Sequence, residues 1–133
     1  MWRSVLTGPA NGQEMHVFIA QNGNEPVGFG ACGAQRDPTL GEQGFDGEIG
    51  ALYVLQAKHG AGVGKQLMGL MAQSLQNRGR NAASLWVLGE NVRARAFYER
   101  LGGTKVGEKV DDLSGVAVSE VAYGWRNLEL LAH

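Results

Sequence analysis

The chain has a single cysteine, Cys32, which excludes an internal disulfide and a thiolate metal cluster. Its place in the apolar run from Phe29 to Ala34 marks a small buried residue rather than a nucleophile. The three histidines, His16, His59 and His133, are too dispersed for metal-ligand spacing, so no metal is expected. No apolar run approaches the roughly 18 to 20 residues that span a bilayer. The stretch from Met1 to Gln13 is broken by Arg3, Gly8, Pro9, Asn11 and Gly12 and does not read as a secretory leader. Charge of one sign is also missing: 12 basic residues face 13 acidic ones, for a formal net charge of −1. Without a strip of Lys and Arg interleaved with aromatics there is no electrostatic reason to expect nucleic acid. These absences lead us to expect a cytoplasmic protein whose partner is a small molecule or another protein.

What is present is the composition of a soluble globular domain, with 44% hydrophobic and 19% charged residues. At 133 residues a core can form without disulfide or metal staples, and one domain over residues 1–133 is expected. Glycine is abundant, 21 residues, about twice the typical share of roughly 7%. His16 to Ala20 and Val27 to Ala34 flank an Asn22-Gly23 turn signal and predict an antiparallel hairpin. Arg36 to Asp46 is polar and reads as a surface loop. Glu48 to Leu55 is apolar at nearly every position, the pattern of a central strand hidden on both faces.

From Val63 the period changes: Val63, Leu67, Leu70, Met71 and Leu75 recur at helical spacing, and Gly79 follows as a stop. Ala83 to Leu88 is strand-like. Asn91 then stands as the N-cap of a second helix with Ala94, Phe97, Tyr98 and Leu101 on one stripe, ended by Gly102-Gly103. The strand-helix-strand order implies a parallel crossover between the Glu48 and Leu85 strands. Thr104 to Val110 and Val116 to Trp125 read as a closing antiparallel pair across an Asp111-Asp112 loop.

Between the buried strand and the first helix lies His59-Gly60-Ala61-Gly62-Val63-Gly64-Lys65. Such a turn aims free backbone N–H groups and the positive end of a helix dipole at one spot, which suits a phosphate or pyrophosphate. A Walker A loop would need glycine and Ser or Thr where this chain has His59 and Gln66. A G-x-G-x-x-G fingerprint fails at Lys65 or at Leu67, depending on the starting glycine. The turn resembles instead the acyl-CoA loop of the GCN5-related N-acetyltransferase (GNAT) family: Gln or Arg, two residues, Gly, any residue, Gly or Ala. Gly62 and Gly64 match, and His59 departs from the Gln/Arg place. The stretch Leu85-Trp86-Val87-Leu88, Asn91, Ala94, Phe97-Tyr98 and Gly102 resembles the family's later motif, an apolar strand followed by N-x-x-A-x-x-F-Y-x-x-x-G.

The resemblance covers Val17 to Trp125 and implies an α/β fold: a mixed, mostly antiparallel central sheet, with a parallel strand pair splayed around the cofactor and helices on both faces. It implies an N-acetyltransferase that passes the acetyl group of acetyl-CoA to a primary amine of a small molecule or peptide, by direct attack in a ternary complex. On that reading the donor is held by backbone groups of Leu52, Tyr53 and Val54, by His59, Gly60, Ala61, Gly62, Val63, Gly64 and Lys65, and by Asn91. Tyr98 protonates the departing sulfur, and Glu48 is the candidate base for the amine, probed against a role as a mere edge residue. An N–H near Leu52 receives the thioester oxygen.

Family members carry a strand and one or two helices before the hairpin, of which Trp2 to Leu6 is expected to be a helical remnant. That shortening would leave a sheet edge open, and a homodimer would cover it. It also keeps a rival open, a non-catalytic acyl-CoA-binding module. The acceptor amine is not legible.

Overall fold

The computed structural model describes residues 2–10, 13–60 and 62–132. Among these residues seven strands form one sheet: β1 (Trp2–Ala10), β2 (Gln13–Asn22), β3 (Glu25–Ala34), β4 (Gly47–Val54), β5 (Ala83–Leu88), β6 (Thr104–Leu113) and β7 (Val116–Trp125). Their spatial order is β1-β2-β3-β4-β5-β7-β6. Three α-helices join them: α1 (Pro38–Glu42), α2 (Val63–Asn77) and α3 (Val92–Arg100). Every strand pair is antiparallel except β4 with β5. This is the mixed architecture that the motif order implied.

Helices α2 and α3 share one face of the sheet, where Met68, Met71, Leu75, Tyr98, Leu85, Tyr123 and Trp125 close a common core. The amphipathic periods explain this arrangement. Leu67, Met68, Met71, Ala72 and Leu75 are all buried on one stripe of α2, while Gln73 and Asn77 stay exposed. The opposite face is covered over β5, β7 and β6 by Leu40 and Phe45 packed on Ala82, Ala122, Trp86 and Val106.

Those contacts correct the reading of Arg36 to Asp46 as a surface loop. Asp37 caps α1 by accepting from Thr39 N at 2.9 Å and Leu40 N at 3.4 Å, and Leu40 and Phe45 are 1% and 0% exposed. Burying those two side chains contributes about 1.5–3 kcal/mol each. Two further expectations are revised. Trp2 to Leu6 is not a helical remnant but part of β1, paired with β2 from Trp2↔Ala20 to Ala10↔Gln13. The last hairpin turns at Ser114-Gly115, whose φ angles of 54° and 83° suit a two-residue connection, so Asp111 and Asp112 lie inside β6. Among the described residues no helix is long and apolar enough to cross a membrane.

The feature that positions the site is the short contact between β4 and β5. Their parallel register holds only Gly47↔Ala83 and Glu48↔Ser84. Beyond it β4 stays with β3 as far as Gly28↔Val54, and β5 stays with β7 as far as Leu88↔Glu120. The two strands diverge into a wedge. Gln35 closes its narrow end: its side-chain amide donates to Gly47 O at 3.1 Å and to Ser84 Oγ at 2.7 Å. One residue into the wedge the β3–β4 register slips, with Ala31↔Ala51 followed by Cys32↔Ile49, so Gly50 is the extra residue of a bulge. The expectation that β4 is hidden on both faces therefore holds only at its start. Gly47 and Ile49 are buried, Leu52 and Val54 are half-buried, and Tyr53 is 52% exposed.

Candidate functional site

The turn after β4 is built by its own backbone. Leu55 N donates to Val27 O at 2.9 Å, Lys58 N to Leu55 O at 2.8 Å and His59 N to Gln56 O at 3.1 Å. The ring of His59 adds a strut: Nε2 lies 3.1 Å from Val54 O, and since a carbonyl only accepts, Nε2 carries the proton. Gly60 and Gly62 take φ of 85° and 84°, a region costly for any residue with a Cβ, and Gly62 is the N-cap of α2. Gly64 serves packing instead, because a Cβ there would stand 3.1 Å from Phe97 Cζ of α3.

The first backbone N–H groups of a helix have no carbonyl partner inside it. At α1 and α3 a side chain supplies one: Asp37 accepts from Thr39 N, and Asn91 Oδ1 accepts from Ala94 N at 3.1 Å. At α2 the cap is Gly62, which has no side chain, and among the described residues no side-chain cap bond forms. The amides of Val63, Gly64 and Lys65 are thus left at the positive end of the helix dipole, at the end of β4. Of the residues expected to hold a cofactor, Ala61 lies outside the described residues. Lys65 is exposed on the first turn. Asn91 sits across the wedge at the end of β5, where its amide nitrogen is engaged by no described residue.

Leu52, Tyr53 and Val54 lie where β4 has lost its parallel neighbour. Leu52 and Val54 pack toward α2 with Leu67 and Val63. Tyr53 faces the other way and pairs with Phe29 across β3, ring centroids 5.9 Å apart. The Val54 carbonyl already accepts from His59 and the Tyr53 carbonyl is turned toward Gly28 of β3, so of these residues Leu52 offers the freer backbone edge to an extended ligand.

Tyr98, on the inner face of α3, is 8% exposed and ringed by Phe97, Tyr123 and Trp125 at centroid distances of 5.3, 6.2 and 6.1 Å. Its hydroxyl has no hydrogen-bond partner among the described residues. Burial alone pushes its pKa up to about 12, so the phenol stays neutral through the whole working pH range. Neutral, it can donate a hydrogen bond and cannot compete as an anion.

Glu48 is at the narrow end of the wedge but is not presented as an open carboxylate. Arg36 N donates to its Oε1 at 3.0 Å, Arg36 Nε donates to its Oε2 at 2.8 Å, and Arg36 Nη2 closes the ion pair on Oε2. The hydrogen bond to Glu48 raises the Arg36 pKa above its usual value. Two groups near the site were invisible to sequence reasoning. One is the segment Arg36-Asp37, in which Arg36 holds Glu48 while Asp37, besides capping α1, accepts from Trp86 Nε1 at 3.2 Å. The other is the set Arg95, Glu99 and Tyr123, joined through the buried Tyr123 hydroxyl. Only the i,i+4 spacing of Arg95 and Glu99 hints at the second.

Residues 3–103 match the family model described as Acetyltransferase (GNAT) family. The chain belongs to the GNAT family. Among curated relatives, the uncharacterized N-acetyltransferase YuaI of Bacillus subtilis (strain 168) is 32% identical over 116 residues, which cover 86% of this chain and 65% of that protein. An uncharacterized N-acetyltransferase of Archaeoglobus fulgidus is 39% identical over 82 residues, 62% of this chain and 55% of that one. The chain therefore spans less than two thirds of the length of these relatives. Among solved structures, this GNAT chain superposes with a TM-score of 0.69 on a candidate streptothricin acetyltransferase of Bacillus anthracis str. Ames in complex with acetyl coenzyme A, at 20% identity over 84% of this chain and 62% of that one. At this identity the likeness is one of fold.

Proposed function

We propose that this GNAT chain is an N-acetyltransferase that takes the acetyl group of acetyl-CoA and passes it to a primary amine of a small molecule or peptide. The observation that carries the reading is the wedge. Two adjacent parallel strands part after one register step, and the helix N-terminus at the end of β4 has no side-chain cap among the described residues. A pyrophosphate meets the amides of Gly62, Val63, Gly64 and Lys65, with His59 and Gly60 shaping the turn. The pantetheine arm runs along β4 past Leu52, Tyr53 and Val54, pairing with the backbone groups that β3 and His59 leave free, chiefly those of Leu52, and Asn91 borders it from β5.

In the reaction the amine nitrogen bonds to the acetyl carbon and the carbon–sulfur bond breaks. An N–H near Leu52 meets the developing oxyanion. The sulfur leaves as a thiolate that receives the Tyr98 hydrogen bond, which keeps its negative charge from building up unpartnered. The amine must lose a proton, and Glu48 is the nearest carboxylate on the strand; it can act, directly or through water, only if Arg36 yields one oxygen. On the same reading the chain is one cytoplasmic domain that assembles as a homodimer, with the outer edge of β1 as the strand edge to be covered.

A second reading, a non-catalytic acyl-CoA-binding module, is favoured by the commitment of Glu48 to Arg36. Calorimetry with acetyl-CoA and free-CoA release across an amine panel separate the two. Binding with thiol release supports the enzyme. Binding without release from any amine supports the module, and no binding removes both.

A further inference from the structure

We propose that Tyr123, Arg95 and Glu99 form a positioning clamp that sets where the Tyr98 hydroxyl stands in the wedge. The inference rests on the reading of Tyr98 as the donor to sulfur and adds what holds it in place.

Nothing at the Tyr98 oxygen fixes its aim, since that oxygen has no partner among the described residues. Its position must come from the packing of its ring and from the placement of α3. Tyr123 is the ring that joins both. It is 1% exposed, on β7 opposite Leu85 of β5, and its centroid is 6.2 Å from that of Tyr98. Its hydroxyl is saturated by α3: it donates to Glu99 Oε2 at 2.6 Å and accepts from Arg95 Nε at 3.1 Å. Residues 95, 98 and 99 share one face of the helix, so the two anchors bracket the turn that carries Tyr98.

The clamp also reaches the turn that leads β5 into α3. Arg95 Nη1 donates to Gly89 O at 3.1 Å, and Gly89 N donates to Ser119 O of β7 at 2.9 Å. One guanidinium therefore ties the wall of the wedge at the end of β5, the helix, and the sheet into one unit. Trp125 fixes the helix end separately, by donating from Nε1 to Leu101 O at 3.1 Å. A bond between a buried phenol and a carboxylate is short and directional, so a loss here moves the Tyr98 turn without opening the core.

The test needs no acceptor, because the affinity of CoA relative to desulfo-CoA reads the sulfur alone. At pH 9, where a thiol of ordinary pKa is largely ionised, the wild-type chain should prefer CoA by about tenfold, the size of a hydrogen bond to a charged group. Tyr98→Phe should remove that preference. Tyr123→Phe and Glu99→Ala should reduce it to about threefold or less while leaving desulfo-CoA affinity unchanged. Glu99→Gln, which keeps an acceptor for the Tyr123 hydroxyl, should retain it. Adding Tyr123→Phe to Tyr98→Phe should change nothing further. The clamp is overturned if Tyr123→Phe and Glu99→Ala keep the full preference, or if they weaken both ligands equally, the sign of a merely structural role. A preference that survives Tyr98→Phe removes the role of Tyr98 itself, and the clamp with it.

Discussion

Replacing Tyr98 by Phe should separate stability from activity in a way that depends on pH. Burial raises the pKa of this phenol from 10.0 to about 12, and the hydroxyl has no partner to lose. Near pH 7 both folded and unfolded states hold the proton, so Tyr98→Phe should leave stability within about 0.5 kcal/mol. Above pH 10 the unfolded chain releases the proton first, so the native state of the wild type loses stability as pH rises through the window from 10 to 12. Between pH 9 and pH 11 this one group accounts for a loss of about 1.3 kcal/mol. Tyr98→Phe lacks that loss, and its urea unfolding curves at pH 9 and 11 should therefore differ by about 1.3 kcal/mol less than those of the wild type. Cys32, whose thiol burial pushes up to about 11, titrates in the same range but is common to both chains. The same substitution should lower acetyl transfer at pH 7.5 by about tenfold or more, through loss of the donor to sulfur, with acetyl-CoA affinity little changed. Equal losses of stability in the two chains between pH 9 and 11 would refute the claim that Tyr98 sits in a water-poor, unpartnered spot.

Other perturbations reach the remaining parts. Gly62→Ala meets no neighbour within 4 Å but must hold φ near 84°, so it should cost about 1 kcal/mol and weaken acetyl-CoA binding, as read by calorimetry. Asn91→Ala removes the cap of α3 and should cost about 1 kcal/mol, a fall of about 3–4 °C in Tm for a chain of 133 residues. Phe45→Ala, in the segment that reads as loop, should cost about 3–5 kcal/mol and lower Tm by about 10 °C or more in a thermal scan.

The parts of the fold legible in the sequence are those that repeat a local rule. The stripe Leu67, Met71, Leu75 announces α2, Asn91 announces the start of α3, and the two apolar runs about Gly23 announce a hairpin. The parts that were not legible depend on partners far along the chain. Leu40 and Phe45 are single apolar residues among polar ones, with no period to betray them, and they are buried only because Ala122 and Trp86 lie beneath. The strand from Trp2 is defined by its ladder to β2 rather than by its own pattern. For the candidate site, the glycine-rich turn is a local feature that spacing marks, whereas Tyr98 on its helix stripe reads as core and stands out only through the resemblance of its stretch to the GNAT family's later motif. Spacing could not foresee that Glu48 is held by Arg36, or that Tyr123 reaches across 24 and 28 positions to Glu99 and Arg95.

The most direct test of the central claim is a crystal structure of the chain with acetyl-CoA. The account predicts the pyrophosphate against the amides of residues 62–65 and the pantetheine arm lying along β4 beyond Glu48, its sulfur within hydrogen-bond reach of Tyr98. A donor bound elsewhere, or a β4 edge left empty beside it, would contradict the account.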